Sequence, residues 1–264
     1  NVAIVTQPLL GNYGGLLQNF ALQRILIQNN YCPITLDYFP KKPLKLSARQ
    51  FLKSLFCGNI SDFTLYYGRS SVINSFVEKN IRTSHPIHSY CSSDIKADNI
   101  EAVIVGSDQV WRPIYNSHIE DMFFGFVENQ DVVKIAYAAS FGTNQWEYSP
   151  LQTSKCAKLA KLFKAISVRE DSGVDLCRTH LGVQATHVLD PTLLLTPKDY
   201  NELCKDIPKH EPFVFAYILD MDERKIAEIK TLSESHGLPY FIKSAGPNIE
   251  TSDSIELWLS YFRD

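Results

Sequence analysis

The chain is organised around Ala102 to Pro113, which reads AVIVGSDQVWRP. Ala102 to Val105 is a short, largely β-branched apolar run, which suits a strand buried on both faces of a parallel sheet. Gly106, Ser107 and Asp108 follow at once, where such a strand delivers its C-terminal end, and Gln109, Trp111 and Arg112 come next. In open α/β sheets, ligands sit in the crevice outside the carboxyl ends of the strands. Small and polar residues there offer backbone N–H groups and a carboxylate, while Trp111 adds a flat surface and Arg112 a fixed positive charge. The alternative is a strand-ending turn with a core tryptophan. What favours a site is that the arrangement recurs along the chain.

Upstream, Val2 to Thr6 is another β-rich apolar run, and Gln7 to Gly15 (QPLLGNYGG) is a loop that holds Asn12, Gly14 and Gly15. Leu16 to Asn30 reads as a helix, its apolar clusters alternating with polar ones at Gln18/Asn19, Gln23/Arg24 and Gln28 to Asn30. Strand, glycine loop and helix form the unit that opens phosphate- and nucleotide-binding sheets. The glycines match neither the dinucleotide fingerprint nor the P-loop, so no nucleotide is implied. A tight turn that needs glycine for its backbone angles explains the same residues. Ile34 to Phe39 is a second strand, broken by Pro40 to Pro43. Residues 47–81 form a basic, amphipathic helical insert divided at Gly58 and Asn59. Simple packing, a lid, an acceptor-binding surface or a membrane-facing edge all fit it.

Downstream, Val132 to Phe141 is a strand that runs into Ser140 and Gly142. Ser149 and Pro150 open a helix that extends to Phe163. Ala165 to Arg169 is a strand that delivers Arg169, Glu170 and Asp171. Asp171 or Ser172 caps a helix that stops at Gly182. Ala185 to Leu189 is a strand closed by Asp190 and Pro191. The alternation predicts an α/β fold, a Rossmann-like doubly wound parallel sheet over residues 1–197. Four of its strand ends carry polar or glycine signatures and converge on one rim. Pro197 to Pro212 reads as a polar hinge. A strand at 213–219, a helix at 223–236, a strand at 240–244 and a helix at 255–262 then read as the first part of a second Rossmann-like domain over 198–264. Two strands are too few for a free-standing domain, so its remainder is expected beyond Asp264.

Composition narrows the function. The net charge of −3, with both signs interspersed, offers no basic face for nucleic acid. The six cysteines form no CxxC pair and read as reduced thiols of a cytoplasmic protein, not as a zinc or disulfide frame. No apolar run reaches the ~18–20 residues of a membrane span, and no signal-peptide pattern opens the chain. His85, His88 and His118 lie in loop-like sequence without metal-ligand spacing, and His187 reads as a core residue.

Six stretches together carry a resemblance: GNYGGLLQNFALQ (11–23), VGSDQVW (105–111), YAASFG (137–142), SVRED (167–171), VLDPTLL (188–194) and WLSYFRD (258–264). Over nearly its whole length the chain resembles the polysaccharide pyruvyl transferase family. That resemblance implies a two-domain architecture of the glycosyltransferase-B type with the active site in the interdomain cleft. It implies transfer of a pyruvyl group from phosphoenolpyruvate to sugar hydroxyls, giving a cyclic ketal and phosphate, with no redox cofactor and no metal. The acceptor would be a glycan, lipid-linked or nucleotide-linked precursor of a cell-surface polysaccharide, met in the cytoplasm or at the inner face of the membrane. The family's catalytic histidine motif is expected after residue 264, so the chain by itself is expected to be inactive.

The chemistry assigns roles. Phosphoenolpyruvate carries a phosphate and a carboxylate, and Arg169, at a strand end beside a helix start, suits such oxyanions. Ketal formation needs an acid and a base, with Asp108 and Glu170 as candidate bases or acceptors of sugar hydroxyls. Trp111 is a candidate sugar platform. Asn12, Gly14, Gly15, Gly106, Ser107, Gln109, Ser140, Gly142 and Asp190 complete the candidate binding set. Structural readings stand beside these: Arg169 paired with Glu170, Asp171 or Asp190, Asp108 capping its turn, and Trp111 in the core. Two other functions fit the same fold, a nucleotide-sugar glycosyltransferase and a non-catalytic carbohydrate-binding protein.

Overall fold

The computed structural model describes residues 1–41, 68–97, 99–244 and 253–264. It divides into two compact units, Asn1–Leu194 and Leu195–Asp264. The first is built on a sheet whose described strands are β1 (Val2–Val5), β2 (Pro33–Thr35), β3 (Ala102–Val105), β4 (Val133–Ala139), β5 (Ala165–Val168) and β6 (Thr186–His187). They run parallel in the order β2-β1-β3-β4-β5-β6. The chain moves outward from β1 to β2, then returns to the other side of β1 for β3. This reversal makes a topological switch point between β1 and β3, where doubly wound sheets bind ligands.

Both faces of the sheet are covered, as apolar runs without alternation require. All four residues of β1 are buried. Ala3, Val5, Val103 and Val105 pack into the main core with Trp111, Phe123 and Phe124. Val2, Ile4 and Ile104 turn to the other face and meet Leu22 of helix α1 (Tyr13–Gln28).

Helix α1 corrects the predicted boundary and the predicted faces. Asn12 is its N-cap, its Oδ1 accepting from the Gly15 N–H at 3.3 Å. Gly14 and Gly15 therefore lie in the first turn and not in a loop. Gln18, Asn19 and Gln23, placed by periodicity on the polar face, are buried. Gln23 Nε2 donates to Thr35 Oγ1 at 2.8 Å and to the Arg82 carbonyl at 2.8 Å. Thr35 Oγ1 in turn donates to Asn19 Oδ1 at 2.9 Å. Polar residues can face inward here because each meets a partner, Gln23 and Asn19 at Thr35 of β2 and Gln18 at the Asp190 carboxylate.

The predicted strand 34–39 shortens to β2. Beyond Thr35 the chain bonds irregularly to residues 82–87, with isolated bridges at Thr35–Thr83 and Tyr38–Ile87. Of the predicted insert, residues 47–67 lie outside the described residues. Its last part forms α2 (Ser71–Asn80), whose Ile73, Phe76 and Val77 are buried, so this part packs. α3 (Ser92–Ala97) leads to β3.

Ser149 caps α4 (Pro150–Ala160) in a complete capping box with Gln152, and Pro150 stands at its start. α5 (Asp171–Leu176) continues into a wider turn to Leu181 and ends at Gly182 with φ of 67°. Its N-cap position is Glu170, which makes no capping bond because its carboxylate is engaged elsewhere. His187 is exposed at the end of β6, contrary to its reading as a core residue.

The second unit begins with α6 (Pro197–Leu203), where a hinge was predicted. Thr196 and Asp199 cap each other's ends of its first turn, and Pro197 is pre-set for a helix start, so the polar stretch folds locally. β7 (Val214–Ile218) and β8 (Tyr240–Ser244) pair in parallel around α7 (Glu223–His236). α8 (Ile255–Arg263) buries Ile255, Leu259 and Ser260. Arg263 Nη1 ties it to the carbonyls of Cys204 at 2.8 Å and Ile207 at 3.1 Å.

Candidate functional site

Asp108 stands where β3 ends, with φ of 65°. Its carbonyl accepts from the N–H of Val110 at 2.8 Å and of Ser140 at 3.1 Å, which ties the exits of β3 and β4 together. Oδ1 accepts from the Gln109 N–H at 2.8 Å. Oδ2 faces the first turn of α1, where a Cβ on Gly15 would lie 3.3 Å from it. The bare turn lets a carboxylate approach the positive end of a 16-residue helix. Asp108 thus both holds its turn and presents a half-buried carboxylate at the switch point.

Asp190 gathers the other strand ends. Its Oδ1 accepts from the Thr192 N–H at 3.0 Å and from Thr192 Oγ1 at 2.7 Å. Its Oδ2 accepts from Ser107 Oγ at 3.3 Å, from Arg169 Nη1 at 3.3 Å and from Gln18 Nε2. Arg169 also reaches Glu170 Oε1 through Nε at 3.4 Å. Both arginine contacts are longer than the roughly 2.7–2.9 Å of a tight charge-assisted bond. Glu170 Oε1 takes a shorter bond, 2.5 Å, from Ser140 Oγ, which itself accepts from the Gly142 N–H at 3.0 Å. Glu170 Oε2 is buried and has no hydrogen-bond partner among the described residues.

The rim therefore holds three carboxylates, Asp108, Glu170 and Asp190, with Arg169 between the last two. Carboxylates of this kind suit a ligand rich in hydroxyl donors, and the guanidinium suits an anionic group. Tyr137 OH closes one side by donating to the Leu189 carbonyl at 3.4 Å. Burial first, and the Asp190 charge second, hold that phenol above its usual pKa.

Several predicted site residues brace the rim. Ser107 and Ser140 are 2% and 0% exposed and spend their hydroxyls on Asp190 and Glu170. Gly142 has φ of 67°, and a Cβ there would stand 2.2 Å from Gln109 Oε1. At Gly106 a Cβ would stand 2.0 Å from the Tyr137 carbonyl. Gln109 is anchored through its carbonyl by Gln7 Nε2 at 3.0 Å. Asn12 acts as the cap of α1.

Trp111 is a correction. It is 0% exposed, stacks on Phe123 at 4.7 Å and donates Nε1–H to the Met122 carbonyl at 3.0 Å, so no sugar can lie on it. Arg112 is no free charge either, since Glu147 binds it at 3.0 and 3.1 Å. Gln18 and Thr192 were missed. Thr192 carried a readable signal, because a threonine two residues after an aspartate commonly bonds its carboxylate. Gln18 carried none, standing in a helix pattern that assigned it to solvent.

Among the described residues, no group of three His, Cys, Asp or Glu is placed to hold a metal ion, and no helix is long and apolar enough to cross a membrane. No curated protein matches the chain. Among solved structures, MurG of Acinetobacter baumannii is similar, with a TM-score of 0.38 and 9% identity over 98% of this chain and 70% of that one. The sequence profile described as polysaccharide pyruvyl transferase matches residues 12–264, spanning α1, every polar strand end of the rim and α8. The chain belongs to the polysaccharide pyruvyl transferase family.

Proposed function

We propose that the protein transfers a pyruvyl group from phosphoenolpyruvate onto two hydroxyls of one sugar, as a cyclic ketal, within a two-domain architecture of the glycosyltransferase-B type. The observation that carries this reading is the Ser140–Glu170–Arg169–Asp190 chain at the rim, in a member of this family. A proton added to the vinyl CH2 makes it a methyl group and leaves C2 electron-poor. A sugar hydroxyl adds to C2 and gives up its proton, and the second hydroxyl displaces phosphate. One hydroxyl proton ends on carbon and the other on phosphate, so nothing is oxidised or reduced and no redox cofactor is needed.

Each part of the rim has a task in that sequence. Asp108 and Glu170 accept the hydroxyl protons. Arg169 holds the phosphate or carboxylate of the donor, a role its two long resting contacts leave it ready to take. The acceptor is a glycan or a lipid- or nucleotide-linked sugar of a cell-surface polysaccharide precursor, and the reaction takes place in the cytoplasm or at the inner face of the membrane.

Arg169→Ala tests the donor role. A lost charge-assisted hydrogen bond is worth about 1.5–3 kcal/mol, so phosphoenolpyruvate binding measured by titration calorimetry should weaken roughly tenfold to hundredfold. The fold should survive, because Asp190 keeps Gln18, Ser107 and Thr192. Unchanged affinity would remove Arg169 from the donor site.

A further inference from the structure

β4 does not run regularly to its end. Ile135 and Ala136 pair with Ala165 and Ile166, but Ala139 pairs with Val168, so β4 carries one extra residue opposite Ser167. Ala138, within that stretch, has φ of 50°. This left-handed angle is uncommon for any residue with a Cβ. A bulge of this kind leaves an N–H and a C=O without ladder partners, which must be satisfied when buried.

Both are satisfied by one side chain. Ser167 Oγ accepts from the Ala138 N–H at 3.1 Å and donates to the Ala136 carbonyl at 3.1 Å. Only a group that both donates and accepts can do this, and a serine hydroxyl is the smallest that can. The consequences reach the rim on both sides. Just past the bulge, the Arg169 N–H bonds the Ala139 carbonyl at 3.2 Å, and Ser140 is held between the Asp108 carbonyl and the Trp111 N–H, each at 3.1 Å. The displaced Tyr137 carbonyl fills the space in which Gly106 would need a Cβ.

We propose that Ser167 is a positioning residue: it pins the β4 bulge and so sets Ser140, and through it the Glu170 carboxylate, at the distance the reaction uses. Its kinetic consequence rests on the pyruvyl-transfer reading, whereas the pin itself does not.

The test compares wild type, Ser167→Ala, Ser167→Thr and the double variant Ser167→Ala with Ala138→Gly. Two readouts are taken on the full-length protein: hydrogen exchange of the backbone amide at the bulge position, 138, and acceptor-dependent phosphate release from phosphoenolpyruvate. Ser167→Ala should speed exchange at Ala138 and lower kcat roughly tenfold to hundredfold, as a displaced catalytic group does, with KM for phosphoenolpyruvate within about twofold. Ser167→Thr, which keeps the hydroxyl, should restore both readouts. The double variant should recover kcat while exchange stays fast, because glycine adopts the left-handed angle without a pin. If Ser167→Ala does not fold, the double variant and Ser167→Thr carry the comparison. Wild-type kcat in Ser167→Ala overturns the positioning role, and unchanged exchange there overturns the pin. Wild-type protein silent with every acceptor would count against the reaction, leaving the exchange readout to decide the pin.

Discussion

Burial pushes the thiols of Cys156 and Cys177 up to about 12 from an ordinary 9.0, with the Glu120 charge a secondary cause at Cys156. Cys32 and Cys91 are exposed. An alkylating reagent needs the thiolate and access to it. Iodoacetamide at mildly alkaline pH, read by peptide mass spectrometry, should therefore modify Cys32 and Cys91 and spare Cys156 and Cys177 until the protein unfolds. Rapid labelling of the latter pair would contradict the described core. Below pH 9 both thiols are protonated in the folded and unfolded states alike. Between 9 and about 12 only the unfolded chain loses those protons, so this pair lowers stability as pH rises through that window. At this scale the sequence was partly legible. The polar strand ends followed from residue type and spacing. Whether Trp111 faced a ligand or the core did not, because a tryptophan beside a polar turn satisfies either reading. Gln18 escaped for a related reason: its link to Asp190 spans 172 positions, and no local pattern records it.

Glycines join the elements at the rim, and Gly106 is the strictest of them. With φ of 133° and the Tyr137 carbonyl 2.0 Å from any added Cβ, Gly106→Ala must move the backbone of β3 or of β4. A sparsely populated backbone angle and a main-chain overlap together should cost about 3 kcal/mol or more. In a thermal melt that is a drop in Tm of roughly 6 °C or more. An unaltered melting curve would mean that the close approach at the β3–β4 exit is wrong. Most elements were readable in advance, because apolar runs, caps and glycine stops coincide, as at Ser149–Pro150 and Gly182. The misses share a cause. α1 begins at Tyr13 because Asn12 caps it, and α6 forms in a supposed hinge because Thr196 and Asp199 cap it. At α1 side-chain capping outweighed glycine content, and at α6 Pro197 sits at the helix start, where proline fits. The bulge in β4 left no trace in its apolar run, since its pin, Ser167, comes from another strand.

In the first unit, the strand order β2-β1-β3-β4-β5-β6 is what turns a set of βα units into a site. Alternation of elements implied a doubly wound sheet, but which strands neighbour one another depends on pairings that periodicity does not encode. Once the order is known, Asp108 falls at the switch point and Asp190 becomes the hub of strand ends lying far apart in sequence. A family profile over residues 12–264 places the chain among the polysaccharide pyruvyl transferases. Pyruvyl transfer is tested by phosphate release from phosphoenolpyruvate by the full-length protein across a panel of lipid- and nucleotide-linked sugars. The same panel would be run with a uridine-diphosphate sugar as sole donor. Phosphate release from phosphoenolpyruvate that depends on an acceptor sugar, with a mass gain on that sugar matching a pyruvyl ketal, is the predicted result. Turnover of the nucleotide sugar, with none of phosphoenolpyruvate, would contradict it and make the protein a glycosyltransferase.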